Sequence, residues 1–340
     1  MPLDIIRTLG GLTSRNAGGT AGNVAAILAF LGWDSTLAGQ AGADIAGDAL
    51  VSDLSKAGVH TSQISRQATI QTARLVHDVR PHGHFFSYRC PDCAARFPNS
   101  RPLTLDGAAV CSKVCPFPTV FFFDRANAGT IELAEHYGKA GSVIVFEPSV
   151  PANADLLSRA AAIAHIIKHS DDRSVGGLRN LHVRPRQRQV RIVTHGAEGL
   201  EVMIGPRRSH RLPALATLAV DTGGAGDWTT AGFLAKAARG GEIEMDGLDD
   251  ALRFGQALAA VNCATVGSRG LMGITPNAAL RRARKAMEDG GVTTEPRMPT
   301  VAVPGAPAGV CATCLMPRAE QLTFRVEAQG RDTSTHLSHG

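Results

Sequence analysis

Short apolar runs alternate along the chain with segments in which apolar residues recur at helical spacing. The runs at residues 119–123, 142–146 and 190–193 predict strands, and residues 129–139 predict a helix between the first two of them. Alternation of this kind is typical of an α/β fold in which helices flank a mostly parallel central sheet. We therefore expect that fold class.

The same patterns predict several other elements. Residues 24–31 predict an apolar helix that ends at Gly32, and residues 65–89 alternate apolar and polar positions around a turn at 81–83, as a β-hairpin does. The remaining predicted elements are strands at 36–40 and 164–168 and helices at 49–57 and 251–266.

A glycine-rich turn with the sequence Asp-Thr-Gly-Gly-Ala-Gly-Asp occupies residues 221–227. An apolar run at 215–220 predicts a strand before it, and the residues after Asp227 predict a helix that continues to Arg239. The unpaired amides of a helix N-terminus attract anions, and glycines let the backbone approach a phosphate closely. At this position Asp227 either caps the helix or takes a proton from a hydroxyl group that attacks the phosphate.

Composition restricts the classes of function. With 340 residues, of which 44% are apolar, the chain can form one large domain with an appendage. Its 35 basic and 30 acidic residues leave a formal charge of +5, which suits an anionic substrate such as a nucleotide but is too diffuse to predict nucleic-acid binding. The early apolar stretch at residues 24–33 is too short to span a bilayer, so we expect a cytoplasmic protein without a membrane segment.

The seven cysteines include two Cys-x-x-Cys pairs. The pairs are Cys90 with Cys93 and Cys311 with Cys314. In a cytoplasmic protein such residues are more often thiols or metal ligands than disulfides. One pair cannot complete a tetrahedral zinc site, so we expect the two pairs to bind one structural Zn²⁺ together. The alternative partners are Cys111 and Cys115, whose helical spacing within residues 106–115 also fits positions in a hydrophobic core.

The glycine-rich turn, followed by Ala-Gly-Phe-Leu at residues 231–234, resembles the C-terminal signature of the PfkB (ribokinase-like) family of carbohydrate and nucleoside kinases. In that family the Gly-Ala-Gly-Asp backbone forms an anion hole, and its aspartate is the catalytic base. No competing phosphate fingerprint such as Gly-x-x-x-x-Gly-Lys-Ser/Thr occurs in the chain. The resemblance implies catalytic roles for Gly224, Ala225, Gly226 and Asp227.

Two segments near the start resemble the sugar-binding motifs of the same family. A Gly-Gly-x-x-x-Asn-x-Ala segment implies sugar contacts from Gly18, Gly19 and Asn23. Asp4 resembles an aspartate that binds sugar hydroxyls, and an ordinary surface aspartate is the alternative. Residues 3–6 would then be the turn after a strand that is almost absent, so that either the start is truncated or the sheet lacks an edge.

Other motifs bear on anion and nucleotide binding. Arg125 follows the strand at residues 119–123 and is expected to bind an anionic substrate group or, alternatively, to pair with Asp124 or another nearby carboxylate. A turn at residues 194–199 resembles the family's Thr-x-Gly-x-x-Gly turn, which contacts nucleotide phosphates. The resemblance implies cofactor-binding roles for Thr194, Gly196 and Gly199.

The chain departs from the family at the motif that organises magnesium. Where the family has Asn-x-x-Glu, this chain has Ser170-Asp171-Asp172-Arg173, so an arginine replaces the expected glutamate. Any Mg²⁺ role must therefore fall on Asp171 or Asp172, or be weakened.

The resemblance covers about residues 4–276 and implies a domain organisation. We expect a kinase domain at 1–288, with a small β lid from about 12–20 and 65–100, and a Pro/Gly linker, the second cysteine pair and a flexible tail at 289–340. Within that tail, residues 322–326 resemble a strand and residues 330–340 are polar. The aromatic residues of the lid either close over substrate or form a homodimer interface.

The implied activity is transfer of the ATP γ-phosphoryl group to a hydroxyl of a sugar, sugar acid or nucleoside, with magnesium bridging the phosphates. The alternative is a catalytically weak relative that binds a nucleotide or another ligand and regulates through its zinc appendage. The departure at residues 170–173 favours this alternative, whereas the intact Asp227 opposes it.

Overall fold

The computed structural model describes residues 1–80, 83–149, 152–171, 188–206, 208–292, 303 and 305–317. Within them the α-helices are α1 (Thr20–Phe30), α2 (Ile45–Lys56), α3 (Leu105–Val114), α4 (Ala128–Lys139), α5 (Ala154–Ile163), α6 (Ala225–Ala237), α7 (Leu248–Cys263) and α8 (Pro276–Asp289). The strands are β1 (Pro2–Thr8), β2 (Gly11–Ala17), β3 (Ser35–Thr36), β4 (Gly39–Gly42), β5 (Val59–His60), β6 (Ile64–Gln67), β7 (Ala73–Arg80), β8 (Gly83–Ser87), β9 (Val120–Phe123), β10 (Val143–Phe146), β11 (Ile166–Ser170), β12 (Val190–Thr194), β13 (Leu200–Ile204) and β14 (Arg208–Leu212).

The largest described sheet has six strands in the order β14-β13-β12-β11-β10-β9. Strands β9 to β12 are parallel, whereas β13 and β14 extend the sheet in antiparallel fashion. Val145 of β10 belongs to a core cluster with residues of α1, α6, α7 and α8 on one face, and its neighbours Ile144 and Phe146 belong to a second cluster with residues of α3, α4 and α5 on the other. Helices therefore cover both faces, which is why the strands are apolar throughout. The predicted α/β class with a mostly parallel sheet is confirmed.

A second sheet has four strands in the order β2-β1-β7-β8, and we call it the lid sheet. Strand β1 is parallel to β7, and the outer strands are antiparallel to their neighbours. The hairpin predicted within residues 65–89 is confirmed by the pairing of β7 with β8. The turn predicted at residues 3–6 is wrong, because these residues pair with β2 on one side and β7 on the other.

Successive side chains of a strand point to opposite sides of a sheet, and the lid sheet uses both sides. On one side Ile5 and Val76 pack with the cysteine pairs, and we call this the cysteine face. On the other side Ile6 and Val79 pack against Val266, which follows α7, and we call this the inner face. The lid sheet thus lies between the cysteines and the body of the protein.

The strand predicted at residues 215–220 is wrong. Of these residues only Ala216 makes a β-bridge, to Gly291, and Leu218 is exposed. The amide of Val220 donates to the carbonyl of Cys263 at the end of α7, at 2.7 Å. The segment is extended because it packs along helix ends, and it does not join a sheet.

Two sets of predictions fall outside the described residues. The first is the strand at residues 322–326 and the polar segment at 330–340 of the tail, and the second is Asp172 and Arg173 of the magnesium motif. Among the residues that are described, no helix combines the length and the apolar character needed to cross a membrane.

Candidate active site

Polar residues follow four neighbouring parallel strands at the same edge of the large sheet. Asp124 follows β9, Glu147 follows β10, Asp171 follows β11 and His195 follows β12. Ligands of open α/β sheets bind at the carboxyl ends of the strands. This edge is therefore the expected position of a binding site.

The glycine-rich turn leads into α6 as the sequence predicts. Gly224 has a left-handed backbone with φ of 79°, and a Cβ there would lie 2.5 Å from the carbonyl oxygen of Ser268. Only glycine fits this conformation and this space. The amides of Ala225, Gly226 and Asp227 occupy the first turn, where no intrahelical acceptor exists, although that of Ala225 donates to the carbonyl of Thr222 at 3.2 Å.

Asp227 lies in that first turn and is buried, with 8% of its surface exposed. Its Oδ2 accepts a hydrogen bond of 2.7 Å from Nδ2 of Asn23 in α1. Asn23 is itself buried. The structure thus joins two predicted site residues that lie 204 positions apart in the chain.

A buried ion pair lies beneath the start of α6, and no sequence motif predicted it. Lys168 of β11 donates to Glu147 at 2.5 Å, and Thr230 of α6 donates to the other oxygen of the same carboxylate at 2.6 Å. A Cβ on Gly226 would lie 3.2 Å from Lys168 Nζ, so the ammonium is close to the first turn of α6. The sequence did contain a signal for this pair, because Glu147 and Lys168 each stand at the end of an apolar run.

Asp4 lies on the inner face of the lid sheet with its carboxylate against Gly18. A Cβ at Gly18 would be 1.9 Å from Asp4 Cγ, so this position requires glycine. Burial is the main cause that raises the pKa of Asp4 to about 7; the charge of Arg269 opposes the shift and that of Asp227 adds to it. Oδ1 of Asp4 has no hydrogen-bond partner among the described residues. Asp4, Gly18 and Asp227 therefore meet at one place, and Asp4 is not a surface residue.

Arg125 lies at the edge of a cleft that Gly18 and Gly19 also line. Its Nε is 4.0 Å from Asp124 Oδ1, so the pairing considered as an alternative is present at the outer limit of an ion pair. Asp124 also accepts from the amide of Ala21 at 3.4 Å. Arg125 is thus brought to the predicted sugar-binding glycines.

The predicted nucleotide-binding residues form one group at the ends of β11 and β12. Thr194 precedes a 3₁₀ turn, Gly196–Glu198, and Gly199 has φ of 104° where a Cβ would be 2.1 Å from the carbonyl oxygen of Leu212. Asp171 Oδ2 lies 2.6 Å from Nδ1 of His195. The turn and the acidic residue are therefore neighbours, and the glycine is needed for the turn itself.

The structure brings the two Cys-x-x-Cys pairs together. Cys90 Sγ is 3.9 Å from Cys311 Sγ, Cys93 Sγ is 3.6 Å from Cys314 Sγ, and all four sulfurs lie within 4.8 Å of one another. Zinc-sulfur bonds of about 2.3 Å in a tetrahedral site place the sulfurs about 3.8 Å apart. Cys111 instead packs with α4 and α5 in the core, so the local partner is not at this cluster.

The two cysteine turns have the same backbone pattern. The amides of Cys90 and Cys311 each donate at 2.9 Å to the carbonyl of the residue five positions later, Ala95 and Met316. The residues after the second cysteine of each pair, Ala94 and Leu315, both have φ of 59°. The hydrogen bond with Cys314 lowers the pKa of Cys90 to about 5, so a thiolate is present at neutral pH. The donor set fits a closed Zn²⁺ site.

Comparison with known proteins gives related kinases. A family model described as pfkB family carbohydrate kinase matches residues 9–273. A fructokinase from Klebsiella pneumoniae is 30% identical over 242 residues, which are 66% of this chain and 78% of that protein.

Solved structures share the fold. Aminoimidazole riboside kinase from Salmonella enterica, complexed with aminoimidazole riboside and an ATP analogue, superimposes with a TM-score of 0.65 at 20% identity, over 83% of this chain and 97% of that chain. A fructokinase with bound ATP from Xylella fastidiosa gives a TM-score of 0.63 at 20% identity, over 85% and 96% of the two chains. The ribokinase-like α/β fold is therefore confirmed.

Proposed function

The chain belongs to the pfkB family of carbohydrate kinases, and we propose that it transfers the γ-phosphoryl group of ATP to a hydroxyl of a sugar, sugar acid or nucleoside. The observation that carries the proposal is the position of Asp227, a buried carboxylate in the first turn of α6 that Asn23 holds by a hydrogen bond. A carboxylate in this position can accept the proton of the attacking hydroxyl beside the amides that bind the transferred group.

The surroundings of Asp227 support binding of the acceptor on the lid side. Asp4 and Gly18 lie between the lid sheet and α6, and Gly19 and Arg125 line the adjoining cleft. Asp4 has a carboxylate oxygen without a partner among the described residues, so a substrate hydroxyl would satisfy it. We propose that these residues and Asn23 orient the acceptor.

The phosphate donor would bind on the other side of Asp227. The turn at Thr194, Gly196 and Gly199 supplies backbone groups, and the first-turn amides of α6 with nearby Lys168 supply positive potential for the transferring phosphoryl group. ATP as the donor is supported by two structural neighbours, the fructokinase with bound ATP and the aminoimidazole riboside kinase complexed with an ATP analogue.

Magnesium fits the donor side because Asp171 offers a partly exposed carboxylate that His195 orients. Bound with ATP, the ion would neutralise charge on the phosphates. Asp171 would hold it at the carboxyl edge of the sheet.

The test is Asp227→Asn, assayed with ATP and a panel of sugars and nucleosides. We expect kcat on the best acceptor to fall by about 100-fold or more while the dissociation constant for ATP stays unchanged. The control is Asp246→Asn, an exposed aspartate before α7. Phosphorylation by Asp227→Asn at the parent rate would show that another residue is the base. ATP binding by the parent without turnover on any acceptor would favour the regulatory alternative.

We also propose that Cys90, Cys93, Cys311 and Cys314 hold one structural Zn²⁺. The support is the four-sulfur geometry and the matching cysteine turns. A closed thiolate site leaves no position for a reacting water, so the ion would fix the tail to the lid sheet without taking part in catalysis. The remaining cysteines Cys111, Cys115 and Cys263 form no disulfide, which suits a reducing compartment and supports a cytoplasmic location.

The partners proposed are a small-molecule acceptor, rather than nucleic acid or a membrane, and a second copy of the chain. The outer strand β8 carries Phe85, and Tyr88 directly follows its end; each is 60% exposed at the edge of the lid sheet. An exposed edge strand with apolar side chains favours pairing with another chain. Sedimentation should therefore show a dimer, and Phe85→Ser with Tyr88→Ser should shift it towards the monomer; a monomeric parent would contradict this.

A further inference from the structure

Three metal-binding side chains that the proposed reaction does not use converge beneath the lid sheet. His77 lies on β7, His84 on β8, and Asp221 at the start of the glycine-rich turn. One ligand atom from each lies within 4.8 Å of the others. Because three separate segments supply them, the cluster forms only when the lid sheet lies against the turn.

The distances suit a single ion. Nε2 of His77 is 3.3 Å, and Nδ1 of His84 is 3.5 Å, from Oδ1 of Asp221. Ligands bound at about 2.0–2.2 Å to a tetrahedral metal lie about 3.3–3.6 Å from one another. Gly223 permits this arrangement, because a Cβ there would be 2.4 Å from Cε1 of His77.

His77 is the member of the cluster that points to a ligand. Its side chain is fully buried, and neither ring nitrogen makes a hydrogen bond within the described part of the chain. Asp221 is near enough for an ion pair, but the alignment is not that of a hydrogen bond. Leaving a buried polar atom without a partner costs about 1–3 kcal/mol, so the ring is placed as a ligand would be.

Two backbone amides hold Asp221 in place. Its Oδ1 accepts from the amide of Gly223 and its Oδ2 from the amide of Gly267, both at 2.8 Å. A carboxylate oriented by backbone donors is the arrangement that supports a metal ligand.

We propose that His77, His84 and Asp221 bind a divalent transition-metal ion such as Zn²⁺, which joins the lid sheet to the turn that precedes Asp227. Two imidazoles and one carboxylate favour this class of ion over Mg²⁺ or Ca²⁺, which prefer all-oxygen sites. His84 is partly exposed, so ions can enter from solvent and a water can take the fourth position. An occupied site keeps the lid sheet closed over the glycine-rich turn.

The test uses protein whose cysteine site is already filled with one equivalent of Zn²⁺, titrated with Co²⁺ in the absence of nucleotide. Calorimetry should show one Co²⁺ per chain, and the absorption should lack the sulfur-to-metal charge transfer of thiolate-bound cobalt. His84→Gln should weaken this binding by at least about 10-fold, since even loss of a residue that only orients a ligand costs about 10- to 100-fold. The matched control is His60→Gln, an exposed histidine that pairs with Asp34.

His77→Gln tests a second proposed ligand in the same cobalt titration. Thermal melting without cobalt shows whether each variant folds. Binding lost in His84→Gln but kept in His60→Gln, with equal melting temperatures, supports the site. No cobalt binding by the parent, or equal binding by His84→Gln, would show that the cluster is an imidazole-carboxylate contact and overturn the proposal. No readout depends on kinase activity, so this result stands apart from the test of Asp227.

Discussion

The two faces of the lid sheet bury polar groups in opposite ways. On the cysteine face the fully buried Arg74 donates to the carbonyls of Cys314 and Thr72, each at 2.6 Å, and Arg15 donates to the carbonyl of Thr313 at 3.1 Å. On the inner face Oδ1 of Asp4 and both ring nitrogens of His77 have no hydrogen-bond partner in the described residues.

The difference indicates that one face of the lid sheet stabilises the fold and that the other faces the candidate active site. Buried polar groups are normally satisfied, and on the cysteine face Arg74 and Arg15 donate to carbonyls of the second cysteine turn, although Nε of Arg7 has no hydrogen-bond partner in the described residues. The interactions of Arg74 and Arg15 stabilise the fold. The inner face holds Asp4 and His77, whose buried polar atoms lack hydrogen-bond partners in the described residues, and it lies against Asp227 and the glycine-rich turn.

The largest effect is expected from removing the second cysteine pair. Cys311→Ser with Cys314→Ser should abolish bound zinc and lower the free energy of unfolding by more than about 4 kcal/mol, because loss of a structural metal is among the most destabilising changes. Metal content by elemental analysis and denaturant unfolding measure both effects. Cys111→Ser is the control and should keep the zinc. Zinc lost on Cys111→Ser and kept in the double variant would place the site at the local pair.

A smaller effect of opposite sign is expected on the inner face. The pKa of Asp4 is about 7 in the folded protein against an ordinary 3.8, so the folded state binds a proton that the unfolded state has released between these values. Stability contributed by protonated Asp4 is therefore lost as pH rises from about 4 to 7. Asp4→Asn should remove this loss and stabilise the protein above pH 7 by up to about 4 kcal/mol, with no gain at pH 4.

Asp44, which caps α2 and pairs with Arg74 of the cysteine face at 3.4 Å, provides the matched comparison for that experiment. Burial acts against ionisation, but Thr72, Gly47 and Arg74 lower the pKa of Asp44. Asp44→Asn should therefore destabilise at neutral pH, with the difference disappearing as pH falls below the ordinary value. Denaturant midpoints across pH measure both variants. Equal and pH-independent effects of the two substitutions would show that the faces do not differ as described. In kinase assays Asp4→Asn should also raise KM for the acceptor.

The smallest effect is expected from the buried guanidinium of the cysteine face. Arg74→Met keeps the apolar volume but leaves the carbonyls of Thr72 and Cys314 without their donor, which should cost about 1–3 kcal/mol. Arg159→Met, which removes an exposed pair with Glu135, should cost less than about 1 kcal/mol. Unfolding curves of both variants provide the measurement. A cost for Arg74→Met no larger than the control would mean that this face does not depend on its hydrogen bonds.

The sequence by itself determined the local elements and the chemistry. The period of apolar residues placed α1, α3, α4 and β10, because burial of one face follows from spacing alone. The glycine-rich turn before Asp227 was also predicted, since its conformation needs glycine at Gly224. The apolar run at residues 215–220 led to a wrong strand prediction because an apolar segment packed on helix ends has the same composition as a strand.

Only the tertiary structure decided which side chains meet. Asn23 contacts Asp227 across 204 positions, and Cys90 contacts Cys311 across 221. No sequence motif predicts that Lys168 pairs with Glu147 or that His77 lies beside Asp221. The spacing of apolar residues indicates that one face of an element is buried. It does not indicate which segment covers that face, because this is set by the packing of distant segments into one core.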